Sequence, residues 1–251
     1  MQNKSQTSSN TLGWMWVPAL LLLWSTGCTT MHSSSPDPMP AFSDGAKILF
    51  QGDSITDGNR GRSADPNHIL GHGYQALIAS RFGADLPNRR LTFINRGISG
   101  NTVGALQRRW QTDAIDLKPD LLSILIGVND LSFGVSADQF EQELDQLLAG
   151  TIKALPSVRL VLCEPFGLPV GGKKINWEAY RAQIGERDAI VQKLAQKYYA
   201  PIVRFQAMFE RAVHRAPADY WIWDGIHPTY AGHQLMADEW VRTVRAFWPA
   251  K

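Results

Sequence analysis

The sequence predicts an α/β fold, a five-stranded parallel sheet with helices on both faces. Three observations carry that expectation. Five short apolar runs alternate with segments of helical spacing, the pattern of successive βαβ units. The runs are compactly apolar, as strands covered on both faces are. At 251 residues, 44% of them hydrophobic and without internal repeats, the chain suits one domain with its own core.

The elements follow in order. Residues 47–51 are a first strand, stopped by Gly52. Residues 74–82 have helical spacing and stop at Gly83. Residues 91–95 are the second strand, and 103–112 the next helix. Residues 120–126 form the third and strongly apolar strand, entered through Pro119 and closed by Gly127. A long amphipathic helix over 137–155 stops at Pro156. Residues 158–163 are the fourth strand, followed by Glu164-Pro165, and 177–198 are helical. Residues 201–205 give a shorter fifth strand, and helices over 208–215 and 230–248 close the chain.

Residues 1–27 read as a targeting segment. Lys4 lies in a polar start, and the apolar stretch 14–24 is too short to span a bilayer comfortably. Ser25-Thr26-Gly27-Cys28 is similar to the lipobox of bacterial lipoproteins, with Ser25 where that motif usually carries an aliphatic residue. The resemblance implies a lipidated Cys28 and an exported protein anchored to a membrane, periplasmic or at the cell surface. Cleavage as an ordinary secretory signal and retention as an uncleaved anchor are the alternatives. Lipidation leaves Cys163 without a partner, and its place in Leu160-Val161-Leu162-Cys163 marks it as a buried small hydrophobe. Residues 28–45, rich in Ser, Pro, Thr and Met, read as a flexible tether, and 46–251 as the folded domain. Beyond the leader, 24 basic groups stand against 23 acidic ones, so no basic field is available for nucleic acid.

Four polar segments carry the chemistry. Gly52-Asp53-Ser54 follows the first strand in a strand-to-helix turn, which exposes a hydroxyl. Asn95-Arg96-Gly97-Ile98-Ser99-Gly100 leaves the second strand, and Gly100 offers a backbone N–H near a helix start. Gly127-Val128-Asn129-Asp130 leaves the third, where a neutral amide can donate to a developing oxyanion. Asp224-Gly225-Ile226-His227 opens the last helix, and its three-residue offset lets a carboxylate orient an imidazole. Each segment alone is also ordinary turn or cap composition. In a parallel sheet, however, the ligand crevice lies outside the carboxyl ends of the strands, and three of the four segments sit there.

In this order the segments resemble the SGNH hydrolase superfamily, the GDSL-type esterases, over nearly all of residues 47–248. Gly52-Asp53-Ser54-Ile55 matches the first block, with Ile55 where many members have Leu. The resemblance implies a flavodoxin-like three-layer sandwich and a nucleophilic Ser54. It also implies His227 as base, Asp224 as its partner, and an oxyanion hole from Ser54, Gly100 and Asn129, with Gly97 a weaker candidate than Gly100. Asp53, Arg96 and Trp223 are expected to border the substrate. No cofactor is expected. No metal is expected either, since Asp224, His227 and His233 do not have ligand spacing.

The substrate is the least legible part. Residues 58–73 form a polar, glycine-bearing border with Arg60, Arg62, His68 and His72, unlike the apolar cap a long acyl chain needs. His68 and His72 read as loop residues. Trp177, Tyr180, Tyr220, Trp221 and Trp223 could supply faces for sugar rings. Together with export these favour an O-acetylesterase acting on carbohydrate, as exported family members often are. A lysophospholipase or thioesterase, or a glycan-binding lipoprotein without catalysis, are the alternatives, and the oligomeric state is left open.

Overall fold

A computed structural model describes residues 41–63 and 65–249. The leader, Cys28 and residues 28–40 of the expected tether lie outside the described residues. Strands β1 (Lys47–Gly52), β2 (Thr92–Asn95), β3 (Leu121–Leu125), β4 (Arg159–Cys163) and β5 (Ile202–Val203) form one parallel sheet in the order β2-β1-β3-β4-β5. The α-helices are α1 (Ser54–Asp57), α2 (Tyr74–Asp85), α3 (Val103–Trp110), α4 (Val128–Ser132), α5 (Ala137–Ala154), α6 (Trp177–Lys197), α7 (Phe205–Ala212), α8 (Ala218–Trp221) and α9 (Tyr230–Phe247). This is the expected three-layer sandwich, and its strand order is that of flavodoxin-like sheets, with the switch point between β1 and β3.

The two layers divide the side chains of each strand. Ile48 and Phe50 of β1 join a core with α2, α7 and α9, while Leu49 faces the other core with α3, α5 and α6. Both faces are covered, which is why the strands read as uninterrupted apolar runs. Each fully buried Leu, Ile or Phe contributes roughly 1.5–3 kcal/mol. Ser123, the one hydroxyl in β3, is satisfied by the buried Trp240, whose indole N–H donates to it at 3.0 Å.

Three differences from the sequence reading have clear causes. Helix α2 runs through Gly83 to Asp85, and Pro87, which opens a short 3-10 turn, is the nearer helix-breaking signal. The helix expected from 208 starts at Phe205, because Phe205 and Phe209 are both fully buried and pack on Phe166; β5 is correspondingly reduced to two residues. Ala41 and Phe42, within the stretch read as tether, belong to the core. The Phe42 ring lies 5.3 Å from Phe82, 6.2 Å from Phe93 and 6.5 Å from Trp240. A single aromatic in a polar segment has no periodicity to betray it. Arg159 and Arg89 donate to the carbonyls of Ala41 and Phe42.

Candidate active site

Ser54 is the first residue of α1, directly beyond β1. Gly52 is required by close approach: a Cβ there would lie 2.3 Å from the carbonyl oxygen of Leu125 on the adjacent strand. Asp53 caps α1, its Oδ1 accepting from the Ile55 N–H at 3.0 Å. The Ser54 hydroxyl is 2.8 Å from Nε2 of His227, 173 residues away in sequence. Nδ1 of His227 lies 2.6 Å from Oδ2 of Asp224. The other oxygen of Asp224 accepts from the N–H groups of Ile226 (2.9 Å) and His227 (2.7 Å). Burial alone would raise the Asp224 pKa. The bonds from His227 and Ile226 outweigh it and hold the carboxyl below its usual range.

The loop bearing this pair is fastened on both sides. The Trp223 N–H donates to the His227 carbonyl at 3.1 Å, and Ile222 and Pro228 form an isolated antiparallel bridge. The Leu168 N–H, past the end of β4, donates to the Gly225 carbonyl at 3.1 Å. Trp223 is 65% exposed and stacks on the His227 ring, with planes 27° apart and centroids 6.2 Å apart. Trp223 thus presents an open ring face beside His227.

The other two segments converge from β2 and β3. Asn95, buried at the end of β2, donates from Nδ2 to the carbonyls of Thr56 (2.7 Å), Leu70 (2.9 Å) and Asp57 (3.2 Å). Its Oδ1 accepts from the Gly97 N–H at 2.8 Å, so that N–H is engaged. The Ile98 N–H donates to the Gly52 carbonyl at 3.1 Å, pinning the β2 loop to the turn of Ser54. Gly100 is exposed in this loop, with φ +81°. Asn129 lies on α4 and donates from Nδ2 to the Asn101 carbonyl at 3.1 Å, which leaves its second amide hydrogen. Asp130 caps α3: its Oδ1 accepts from Val103, the first residue of that helix, at 3.1 Å. Burial raises its pKa to about 6 against that bond.

One expected substrate contact needs correction. Asp53 has no exposed surface, so the structure gives it the cap and not a place facing substrate. Its Oδ2 has no partner among the described residues, and burial lifts the carboxyl to about 7. Arg96 stays partly exposed, its Nε 3.8 Å from Oδ1 of Asp113. Asp57 is a site-building residue that the sequence reading missed. Its Oδ2 accepts from the N–H and hydroxyl of Ser99, both at 3.1 Å, and Arg62 grips both carboxylate oxygens at 3.0 and 2.8 Å. Burial works against ionisation here, but the bonds from Arg62 and Ser99 hold the pKa below the usual range. Arg60 donates from Nε to the Gly97 carbonyl at 2.9 Å. His68 and His72 are loop residues, and His233 is buried, its Nδ1 accepting from the Tyr74 N–H at 3.2 Å. Burial pushes the His233 pKa down to about 4.

A hydroxyl, an imidazole and a carboxylate thus stand in series beyond the carboxyl ends of the strands, where a doubly wound sheet of the SGNH hydrolase class has its ligand crevice. A sequence model of the GDSL-like lipase/acylhydrolase family matches residues 50–235, and the chain belongs to that family. It is a carboxylic ester hydrolase. It is 33% identical over 217 residues to an acetylxylan esterase of Geobacillus stearothermophilus, covering 81% of this chain and 96% of that one. The fold is similar to that of a GDSL-like lipase from Parabacteroides merdae, with TM-score 0.77, 38% identity, and 81% and 97% of the two chains covered. It is also similar to structures of Axe2, the acetylxylan esterase of G. stearothermophilus, at TM-score 0.73 and 32% identity, with 81% and 96% of the chains covered. Catalytic mutants of Axe2 substitute a serine, an aspartate and a histidine three positions beyond that aspartate.

Proposed function

We propose that the protein is an exported O-acetylesterase acting on carbohydrate, working through Ser54, His227 and Asp224. The single observation that carries the reading is the unbroken chain from the Ser54 hydroxyl to His227 at 2.8 Å and on to Asp224 at 2.6 Å. His227 Nε2 takes the hydroxyl proton as Ser54 attacks the ester carbonyl. Asp224 fixes the tautomer with the proton on Nδ1 and stabilises the imidazolium that forms. The tetrahedral oxyanion is received by the N–H of Ser54, the N–H of Gly100 and the amide of Asn129. The prior engagement of the Gly97 N–H by Asn95 supports Gly100 for that place. His227 then returns the proton to the leaving alcohol, and water repeats the sequence on the acyl-enzyme.

The small acyl group and the sugar carrier are supported by the acetylxylan esterase relatives, the polar border at residues 58–73 and the exposed Trp223 face. Export through the leader and lipidation of Cys28 complete the proposal, with the bilayer as the partner of that anchor.

The decisive experiment is acetate release from a panel of acetylated xylo-oligosaccharides and other acetylated glycans. Wild type should release acetate and Ser54→Ala should not. Asn129→Ala should lose about 10²–10³ in turnover and stay folded. A preference for p-nitrophenyl octanoate over acetate would replace the acetylesterase reading with a lysophospholipase or thioesterase.

A further inference from the structure

We propose that Arg109 is a positioning residue for this reaction: one guanidinium on α3 sets the mutual spacing of the three oxyanion donors. The inference rests on the donor trio proposed above. The Arg109 side chain is only 14% exposed and makes three directed contacts. Nε donates to Oδ1 of Asn101 at 2.8 Å, Nη1 to Oδ2 of Asp113 at 2.9 Å, and Nη2 to the carbonyl of Gly52 at 3.4 Å. Gly52 ends β1, two residues before Ser54. Asn101 directly follows Gly100, and its carbonyl accepts from Asn129 Nδ2 at 3.1 Å. A single planar fork thus ties together the Ser54 turn, the Gly100 loop and, through Asn101, the Asn129 amide. Because the guanidinium is rigid, its acceptors cannot drift independently.

The fork is itself held. Asp113 lies one helical turn on, inside the π-helical segment Gln111–Ile115 that follows α3. Its carbonyl accepts from Nε2 of Gln51 at 2.6 Å, and Gln51 is a fully buried residue of β1. Helix α3 is therefore locked to the strand that delivers the serine. A π turn admits an extra residue into a helix, which turns the following side chains relative to an α-helix. Arg109 acts on the reacting groups through other residues. A lysine there would keep the charge but could not serve three acceptors in one plane. If Arg109 only fastened α3 to the sheet, its loss would lower thermal stability and leave turnover alone. If it spaces the donors, turnover must fall, because a displacement near 1 Å at such a site costs about 10²-fold.

The test measures kcat, KM and thermal midpoint with p-nitrophenyl acetate for Arg109→Lys and Asn101→Ala, each alone and in an Asn129→Ala background. Arg109→Lys should lower kcat by about 10–100-fold with KM within about 2-fold, and Asn101→Ala by about 3–30-fold. Each loss should shrink to at most about a third of its factor once Asn129 is alanine, because the one donor that the Asn101 carbonyl holds directly is gone. Labelling of Ser54 by a fluorophosphonate should slow in parallel. Unchanged kcat in both folded variants, or the same factor in both backgrounds, overturns the proposal. Should Arg109→Lys not fold cooperatively, Asn101→Ala, at a partly exposed residue, decides by the same criteria. If Asn129→Ala shows its own loss while these variants are silent, only the positioning role falls. If Asn129→Ala is silent, the donor trio falls and the positioning role with it.

Discussion

Ser54, Gly100 and Asn129 stand beyond three different strands, whereas Asp224 and His227 share one short loop. The first group is assembled by long-range bonds: Ile98 to Gly52, Asn95 to Thr56 and Asp57, Asn129 to Asn101, Asp130 to Val103. The second is assembled locally, with Asp224 accepting from residues two and three positions on. The proposed donor side thus depends on the sheet topology and on buried carboxyls. The proposed acid–base side is a nearly self-contained turn laid on the rim, joined to the first group by the bond between Ser54 and His227.

The strongest challenge to this contrast is Asp224→Asn. Oδ1 of an asparagine can still accept from Ile226 and His227, so the loop should keep its shape and the thermal midpoint should hardly move. The ring loses the partner that fixes its tautomer, and kcat should fall by about 10⁴-fold. A large drop in the midpoint would show that the loop is not self-contained.

Asp53→Asn sharpens the contrast from the donor side. The Asp53 carboxyl titrates at about 7 in the fold because burial penalises its charge, although the Ile55 N–H and His227 pull the other way. In the unfolded chain it titrates near 3.9. Between those values the folded state binds a proton that the unfolded state has lost, so its contribution to stability declines as pH rises from about 4 to about 7. Asparagine keeps an oxygen for the cap and cannot ionise. Urea denaturation across this window should show the variant gaining on wild type by on the order of a few kcal/mol, levelling off above pH 7. A constant difference would mean that Asp53 does not carry the titration.

A smaller effect is expected from Gly97→Ala. A Cβ would lie 2.4 Å from the Asp57 nitrogen and 2.7 Å from the Thr56 carbonyl carbon, and backbone cannot swing aside. The loss should be about 1–3 kcal/mol in urea denaturation. An unchanged midpoint would mean that the β2 loop is not pressed against α1.

The same contrast explains what could be read from the chain. The Asp224–His227 pair was legible from a three-residue offset, because its geometry is local. Ser54, Gly100 and Asn129 could be placed beyond one edge of the sheet only once the order of apolar runs implied parallel strands. Asp57, Asn101 and Arg109 were not legible. Their partners lie 42 residues away at Ser99, 28 away at Asn129 and 57 away at Gly52, and a polar residue in a loop or on a helix looks in sequence like any solvated one. Asp53 was misjudged for a related reason, since standing next to Ser54 in sequence does not mean facing the crevice. The one-turn helices α1, α4 and α8 have too few residues to show a period.

Phe42 has a consequence for access. Residues 41–46 run along the amino-terminal edge of the sheet, next to Arg159 at the start of β4 and Arg89 ahead of β2. Ser54 and His227 occupy the opposite edge. The chain therefore enters the described fold at the edge opposite Ser54 and His227, and residues 41–46 do not stand at the mouth of the crevice.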